Sequence, residues 1–130
     1  MNDLKVRTRA FALAVIKLVE QLPVGRTADV VGRQLLRSGT SVAANYRAAR
    51  RSKSRRDFIA KMGSVEEEAD ESEFWLDVIG VRGMAEPEQV LALRHEASEL
   101  VAITVASIRT ARGASTSVPR SAFRVPRSIR

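Results

Sequence analysis

Residues 54–80 have the sequence SRRDFIAKMGSVEEEADESEFWLDVIG, which carries the clearest helical pattern in the chain. Ser54 precedes Asp57 by three residues, a capping-box-like spacing in which side chains satisfy orphan amides of the first helical turn. Apolar and small residues then alternate at intervals of four and three, which predicts one helix face sustained over three heptads. Because Gly80 and Gly83 interrupt this pattern, we predict a helix over residues 55–79. Its inward positions are Phe58, Met62, Val65, Ala69, Ser72, Leu76 and Ile79.

Three further segments have a helical pattern of the same kind. The first, residues 3–22, ends at Pro23, and the second, residues 28–50, follows Thr27 as a candidate N-cap. The last, residues 87–112, opens on Pro87, which suits a first helical turn. Since short connections favour antiparallel neighbours, the sequence predicts an all-α, antiparallel up-and-down four-helix bundle over residues 1–112. The inward positions predicted for these helices are Phe11, Val15, Leu18 and Leu22, then Val31, Leu35, Ser38, Val42, Asn45 and Ala49, then Val90, Leu93, Ala97, Leu100, Thr104 and Ser107.

The remaining residues, 113–130, are rich in Ser, Pro and Arg and have no helical period. We interpret them as a basic tail that is disordered, or ordered only on contact with a partner. The chain has no cysteine, which suits a reducing compartment. No segment approaches the roughly 20 apolar residues of a membrane span, and the short apolar run at residues 10–16 lacks a signal-peptide cleavage site. We therefore expect a cytoplasmic protein that does not contact the membrane.

The net charge of +7 is distributed unevenly along the chain. Residues 1–65 have a net charge of +10, residues 66–86 have −7, residues 87–112 are balanced, and residues 113–130 have +4. A positive region of this size favours a polyanionic partner.

Six cations occur within ten residues at the join between the second and third helices. Cations concentrated at one end of a bundle contact several phosphates and release counterions, so binding is salt-sensitive and has little sequence preference. This pattern predicts electrostatic binding of RNA or DNA. Two alternatives remain: a solvated loop whose cations complement a helix C-terminus, and a basic end that docks an acidic protein without nucleic acid. The six cations are Arg47, Arg50, Arg51, Lys53, Arg55 and Arg56.

An acidic run, Glu66-Glu67-Glu68-Ala69-Asp70-Glu71-Ser72-Glu73, lies on the third helix. Carboxylate di-metal bundles use paired Glu-x-x-His motifs, and this chain has one histidine, His95, and no such motif. The sequence therefore predicts no metal site, no cofactor, no catalytic residue and no enzymatic activity. We expect the acidic side chains to dock against basic residues of the second helix or of a neighbouring subunit.

The first and fourth helices are more apolar than a monomeric bundle needs. A single stripe suffices for the core, so part of the remaining apolar surface is predicted to face another subunit. The residues concerned are Leu13, Ile16, Val101, Ile103, Val105 and Ile108.

Small polar residues interrupt the second helix at residues 38–41. Gly39 is a poor helix former, so close approach of a neighbouring helix should offset its presence. A phosphate-binding loop is the alternative, but the Walker pattern is absent. Asn45, on the predicted core stripe, should need a hydrogen-bond partner if it is buried.

Residues 34–46, QLLRSGTSVAANY, closely resemble a signature of the bacterial four helix bundle proteins, the family encoded within 23S rRNA intervening sequences. The segments 50–62 and 67–76 resemble the second and third signatures of that family, in order and spacing. The resemblance spans roughly residues 4–112. It implies an up-and-down four-helix subunit that assembles as a ring-shaped homopentamer.

The same resemblance links the chain to the accessory variability protein of diversity-generating retroelements. That protein is similar in fold, pentameric and basic, and it binds nucleic acid and a reverse transcriptase, so such an enzyme is a candidate partner. The resemblance also implies that a set of signature residues makes polar contacts between helices or subunits. These residues are Arg37, Ser38, Ser41 and Asn45 of the second helix, and Glu68, Asp70, Glu71 and Trp75 of the third.

Overall fold

A computed structural model describes residues 3–113 of the 130-residue chain. It contains four helices: α1 over Asp3–Glu20, α2 over Arg26–Arg50, α3 over Arg55–Val81 and α4 over Pro87–Ala111. No strand occurs among these residues, and the predicted up-and-down four-helix bundle is confirmed. The predicted tail lies outside the described residues, except for Gly113.

The core is centred on α3, which packs closely against both α2 and α4. All seven inward positions predicted for α3 are buried, including Met62, Leu76 and Ile79, which have no exposed surface. Helix α1 packs mainly against α2 and touches α4 less. The apolar stripe predicted for α3 is thus the face that packs against its two neighbouring helices.

Three predicted core positions are only half-buried. Leu22 lies beyond the end of α1, and the other two lie in the last turns of a helix. On α2, Tyr46 is buried and Asn45 is only half-buried; on α4, Ile108 is buried and Ser107 is half-buried. A strict repeat of four and three residues averages 3.5 per turn, whereas an α-helix has 3.6, so the predicted stripe drifts off the buried face. Ile108 consequently belongs to the core and not to the surplus apolar surface.

The helix ends agree with the predicted limits to within two residues, with instructive exceptions. The Ser54 hydroxyl accepts a hydrogen bond from the Asp57 amide at 3.0 Å, as the N-cap prediction requires. The predicted cap Thr27 is wrong, because α2 begins one residue before it and its N-cap is Gly25. Helix α3 continues through Gly80 to Val81 and is ended by Gly83, whose φ of +66° favours glycine.

Helix α1 approaches α2 closely at Gly39. A Cβ atom on Gly39 would lie 2.8 Å from Cγ1 of Val15, which is closer than side chains pack. The glycine that weakens α2 locally therefore permits the close α1–α2 contact, as the prediction of a packing role for this segment requires. This contact sets how α1 is placed along α2.

Candidate nucleic-acid interface

The up-and-down topology brings the start of α1, the end of α2, the start of α3 and the end of α4 to one end of the bundle. A groove shared by the first turns of α1 and the last turns of α2 shows this directly. A second cleft, shared by the first turns of α3 and the last turns of α4, shows it for the other pair. Cations are concentrated at this end of the bundle, which we call the basic end. They are Lys5, Arg9, Arg47, Arg50, Arg51, Lys53, Arg55, Arg56, Arg109 and Arg112.

All six cations predicted from the sequence belong to the basic end, but they divide into two groups. Arg47, Arg50 and Arg51 line the groove between α1 and α2. The other three lie beyond that groove, on the α2–α3 connection and the first turn of α3. Arg55 is half-buried, and the other five are exposed. None of these five exposed cations forms an ion pair with a residue between positions 3 and 113.

Lys5 and Arg9 of α1 also line the groove, opposite the arginines of α2. These two residues were not among the predicted binding residues. Their spacing of four places them on one side of α1, and this spacing was the available sequence signal. Sequence periodicity does not show which neighbouring helix that side faces, so their proximity to Arg47 is a result of the fold.

The groove between α1 and α2, which we call the α1–α2 groove, has a volume of about 720 Å³. Its lining contains five cations and no acidic residue. The remaining lining side chains are small or hydroxylated, apart from Tyr46, which is buried. The lining residues are Lys5, Thr8, Arg9, Thr40, Ala43, Ala44, Tyr46, Arg47, Arg50 and Arg51.

A different set of arginines joins neighbouring helices through carboxylates. Arg7 of α1 donates two hydrogen bonds to Glu96 of α4, at 2.9 and 2.7 Å, and one to Glu99 at 2.9 Å. Because these carboxylates bind the guanidinium, the pKa of Arg7 is raised above its usual value. We call this contact and the two described next the interhelix ion pairs.

Helices α3 and α4 are joined by Arg94, which lies 2.7 Å from Glu73 and 3.1 Å from Asp77. Helices α2 and α3 are joined by Arg37, which lies 2.8 Å from Glu71 and 3.4 Å from Glu68. Each of these two arginines binds two carboxylates, so four acidic side chains of α3 are joined to its neighbours and half of their negative charge is compensated. Docking of the acidic run against α2 therefore occurs within the subunit for Glu68 and Glu71.

Glu71 is the centre of a small polar network at the α2–α3 contact. The indole N–H of Trp75 donates to Glu71 at 3.1 Å, and Arg37 donates to its other carboxylate oxygen at 2.8 Å. Partial burial raises the pKa of Glu71, but the hydrogen bonds from Trp75 and Arg37 outweigh this effect, and the pKa lies below its usual value. Next to this network the Ser72 hydroxyl donates to the Ser38 hydroxyl at 3.0 Å, in the buried interface of the two helices.

Five of the eight signature residues thus meet at the α2–α3 contact: Arg37, Ser38, Glu68, Glu71 and Trp75. The other three do not join them. Ser41 and Asn45 are half-buried, Asp70 is exposed, and no side-chain hydrogen bond or ion pair links them to a residue between positions 3 and 113. Their role in subunit contacts stays a prediction.

Neither a group of metal-ligating side chains nor a membrane-spanning helix occurs in the described part of the chain. Residues 3–113 contain no group of three or more His, Cys, Asp or Glu side chains placed to hold a metal ion. His95 is an exposed residue whose Nε2 atom lies 3.3 Å from Glu99. No helix among these residues is both long and apolar enough to cross a membrane.

The fold and this surface define a small helical-bundle protein whose helices are joined by partly exposed ion pairs and whose one end is basic. A family model described as 23S rRNA-intervening sequence protein matches residues 2–106. The chain belongs to that family.

A similar solved structure is the 1.70 Å crystal structure of a protein with unknown function from the S23 ribosomal protein family of Bacteroides thetaiotaomicron. The two chains are 31% identical, the match covers 82% of this chain and 98% of that one, and the TM-score is 0.76. No curated protein matches the chain. The similarities establish the family and the bundle fold.

Proposed function

We propose that this protein is a cytoplasmic, non-catalytic homo-oligomer that binds RNA or DNA electrostatically through the basic end. One observation carries the proposal: the arginines of the interhelix ion pairs bind carboxylates, whereas seven exposed cations of the basic end form no ion pair among residues 3–113. These seven are Arg9, Arg47, Arg50, Arg51, Lys53, Arg56 and Arg109. Unpaired cations gathered at one end of the bundle give a concentrated positive field there. Such a field attracts polyanions.

The chemistry of the basic end favours contact with phosphates over reading of bases. Phosphate contacts come from Lys and Arg and carry no direct sequence information. Stacking on bases needs exposed aromatic rings. The aromatic residues nearest the basic end, Tyr46 and Phe58, are 4% and 5% exposed and belong to the core. Binding should therefore depend strongly on salt and weakly on sequence.

Self-association is supported by apolar side chains on the outer surface. Val6 and Leu13, seven residues apart on one side of α1, are 64% and 50% exposed. Phe74 and Val81, seven residues apart on α3, are 53% and 77% exposed. Two separate apolar surfaces on one subunit suit a head-to-tail contact, which closes into a ring. Together with the family resemblance, this supports a homopentamer.

A ring multiplies weak electrostatic contacts. Each basic end alone would bind nucleic acid at the affinity of non-specific contacts, with a Kd of roughly 10⁻⁴ to 10⁻⁶ M at physiological salt. Linked copies convert later contacts into intramolecular ones, which raises the apparent affinity without any new contact.

A salt titration with fluorescently labelled RNA tests the binding proposal. We expect the logarithm of the affinity to fall linearly with the logarithm of the salt concentration. Replacing all six predicted cations of the basic end by Gln should abolish measurable binding. The control replaces Arg26, Arg33 and Arg82 by Gln, because these cations are exposed, lie outside the basic end and form no ion pair among residues 3–113.

Affinity that stays constant between low and moderate salt would overturn the proposal, as would full binding by the six-residue variant. A pull-down from nuclease-treated lysate provides the counter-test. A single protein recovered in fixed ratio, with no RNA binding by the pure protein, would show that the basic end docks an acidic protein. For the assembly, light scattering should give about five times the chain mass of 14.3 kDa. A monomer mass would refute self-association.

A further inference from the structure

We propose that the α1–α2 groove is a binding site for a single strand of nucleic acid, held by its phosphate backbone between the cations of two helices. In this site Lys5 and Arg9 of α1 bind phosphates from the side opposite Arg47, Arg50 and Arg51 of α2. The inference rests on the proposed function and extends it, because it locates the site, adds two residues and specifies the strandedness of the ligand.

The shape of the groove suits an extended chain. Thr40, Ala43 and Ala44 of α2, together with Thr8 of α1, keep the groove open because their side chains are short. The volume of about 720 Å³ lies within the roughly 300–1,000 Å³ typical of ligand sites. Arg50 and Arg51 lie at the C-terminal end of α2, so a chain in the groove can continue from them to the exposed cations Lys53 and Arg56.

The charge of the groove comes from both of its sides. Two cations on α1 face three on α2, and no carboxylate lines the space between them. Arg9 and the three α2 arginines are exposed and form no ion pair among the described residues. A cleft lined by one sign of charge, with low-dielectric walls, focuses the electric field and concentrates the counter-ion. A phosphodiester chain is the polyanion that satisfies cations spaced along such a cleft.

The width of the groove distinguishes a single strand from a duplex. The major groove of B-DNA alone, about 12 Å wide, is as wide as an entire α-helix with its side chains, about 10–12 Å. A whole duplex is therefore wider than the cleft that two packed helices leave between them, and it contacts only the outer cations. A single strand can lie inside and reach cations on both sides. Tyr46, the one aromatic residue that lines the groove, is buried, so base stacking does not contribute.

Two exposed alanines provide a matched test. Ala44 lines the groove on α2, and Ala92 lies on α4 at the opposite end of the bundle. Ala44→Glu places a carboxylate among the five cations, and Ala92→Glu makes the same change of net charge away from them. Their binding is compared with wild type on RNA and DNA single strands of roughly eight nucleotides, within the site sizes of about 4–16 found for single-strand-binding domains. Duplexes of the same length form the second arm.

The groove proposal predicts that wild type binds the single strands more tightly than the duplexes, and that Ala44→Glu, but not Ala92→Glu, lowers single-strand affinity. The double variant Lys5→Gln/Arg9→Gln should lower it roughly 20-fold at 0.1 M salt, because each phosphate contact contributes about fivefold there. Circular dichroism confirms that each variant is folded before its binding is interpreted.

Equal affinities of Ala44→Glu and Ala92→Glu would overturn the groove proposal, and so would duplexes that bind as tightly as single strands. In either case wild-type binding to nucleic acid would leave the proposed function standing. Wild-type protein that binds neither form would overturn both.

Discussion

Arg7 and Arg9 lie two residues apart on α1, yet their surroundings are opposite. Arg7 faces α4 and is held by two glutamates, whereas Arg9 faces the α1–α2 groove, where no acidic residue lines the surface. The same difference, contact with carboxylates or its absence, separates the arginines of the interhelix ion pairs from the exposed arginines of the groove. The role of an arginine in this bundle therefore depends on which neighbouring helix its side chain faces.

The two regions use charge for different purposes. Partly exposed ion pairs contribute little to the free energy of unfolding, since solvent screens them and long side chains lose entropy. They nonetheless link α1 to α4, α2 to α3 and α3 to α4. Seven exposed cations of the basic end form no ion pair among residues 3–113, which costs some self-repulsion but leaves them available to a ligand.

The largest expected effect concerns the packing that orients α1. Gly39→Ala places a Cβ about 2.8 Å from Val15 Cγ1, so α1 must shift or Val15 must leave its rotamer. We expect a loss of about 1–3 kcal/mol in the free energy of unfolding, measured by urea denaturation. Since the placement of α1 determines the surroundings of both Arg7 and Arg9, RNA binding by the folded variant should weaken as well.

Gly63→Ala is the matched control for this variant. Gly63 lies within α3, and nothing would approach an added Cβ within 4 Å. Alanine is favoured over glycine in a helix interior, so this variant should be more stable by about 0.5–1 kcal/mol. If both alanines had the same effect, close packing at Gly39 would not determine the placement of α1.

The next expected effect separates the two neighbouring arginines of α1. Arg9→Gln should lower RNA affinity about fivefold at 0.1 M salt and leave thermal stability unchanged. Arg7→Gln should lower the free energy of unfolding by roughly 1 kcal/mol, because Glu96 and Glu99 lose their partner, and leave RNA affinity unchanged. Thermal unfolding and fluorescence anisotropy measure the two quantities. Equal changes of stability and of RNA affinity in the two variants would show that Arg7 and Arg9 do not have separate roles.

The smallest expected effect is a pH dependence at the α2–α3 contact. The folded-state pKa of Glu71 is lowered, so its contribution to stability is complete above the unfolded value of about 4.3 and is lost as the pH falls through the folded value. Arg37→Gln removes one of the hydrogen bonds that lower this pKa. Stability should therefore decline less between pH 6 and pH 3 in the variant than in wild type.

Trp75, the single tryptophan of the chain, donates to Glu71 and reports on this contact by fluorescence. The control is Arg33→Gln, which removes an exposed arginine that is outside the ion pairs formed among residues 3–113. Its pH dependence should match wild type. An unchanged acid profile in Arg37→Gln would show that Arg37 does not stabilise the Glu71 carboxylate.

The sequence predicts the helices well because their signals are local. The apolar stripe of α3 and the Ser54 cap depend only on spacing within one helix, and both are found as predicted. Long stripes are less accurate at their ends, where Tyr46 and Ile108 replace the predicted positions, because helical periodicity is not an integer repeat.

The candidate site is only partly visible in the sequence. The six cations from Arg47 to Arg56 lie within ten consecutive residues, so a count of charges along the chain finds them. The contribution of Lys5 and Arg9 depends on the placement of α1 against α2, which is set by long-range packing at Gly39. The partners of Arg7, about 90 residues away, are inaccessible to local patterns for the same reason.

The salt dependence of RNA affinity in two triple variants shows whether binding depends on where the cations lie, because each variant loses the same net charge from a different region. One variant replaces Arg47, Arg50 and Arg51 by Gln, and the other replaces Arg7, Arg37 and Arg94. On single-stranded RNA we expect the first variant to reduce the slope of log affinity against log salt by about 2, because each lost phosphate contact reduces it by about 0.7. The second variant, while folded, should keep the wild-type slope. Equal slopes in the two variants would contradict the account, because binding would then follow the total charge and not its location.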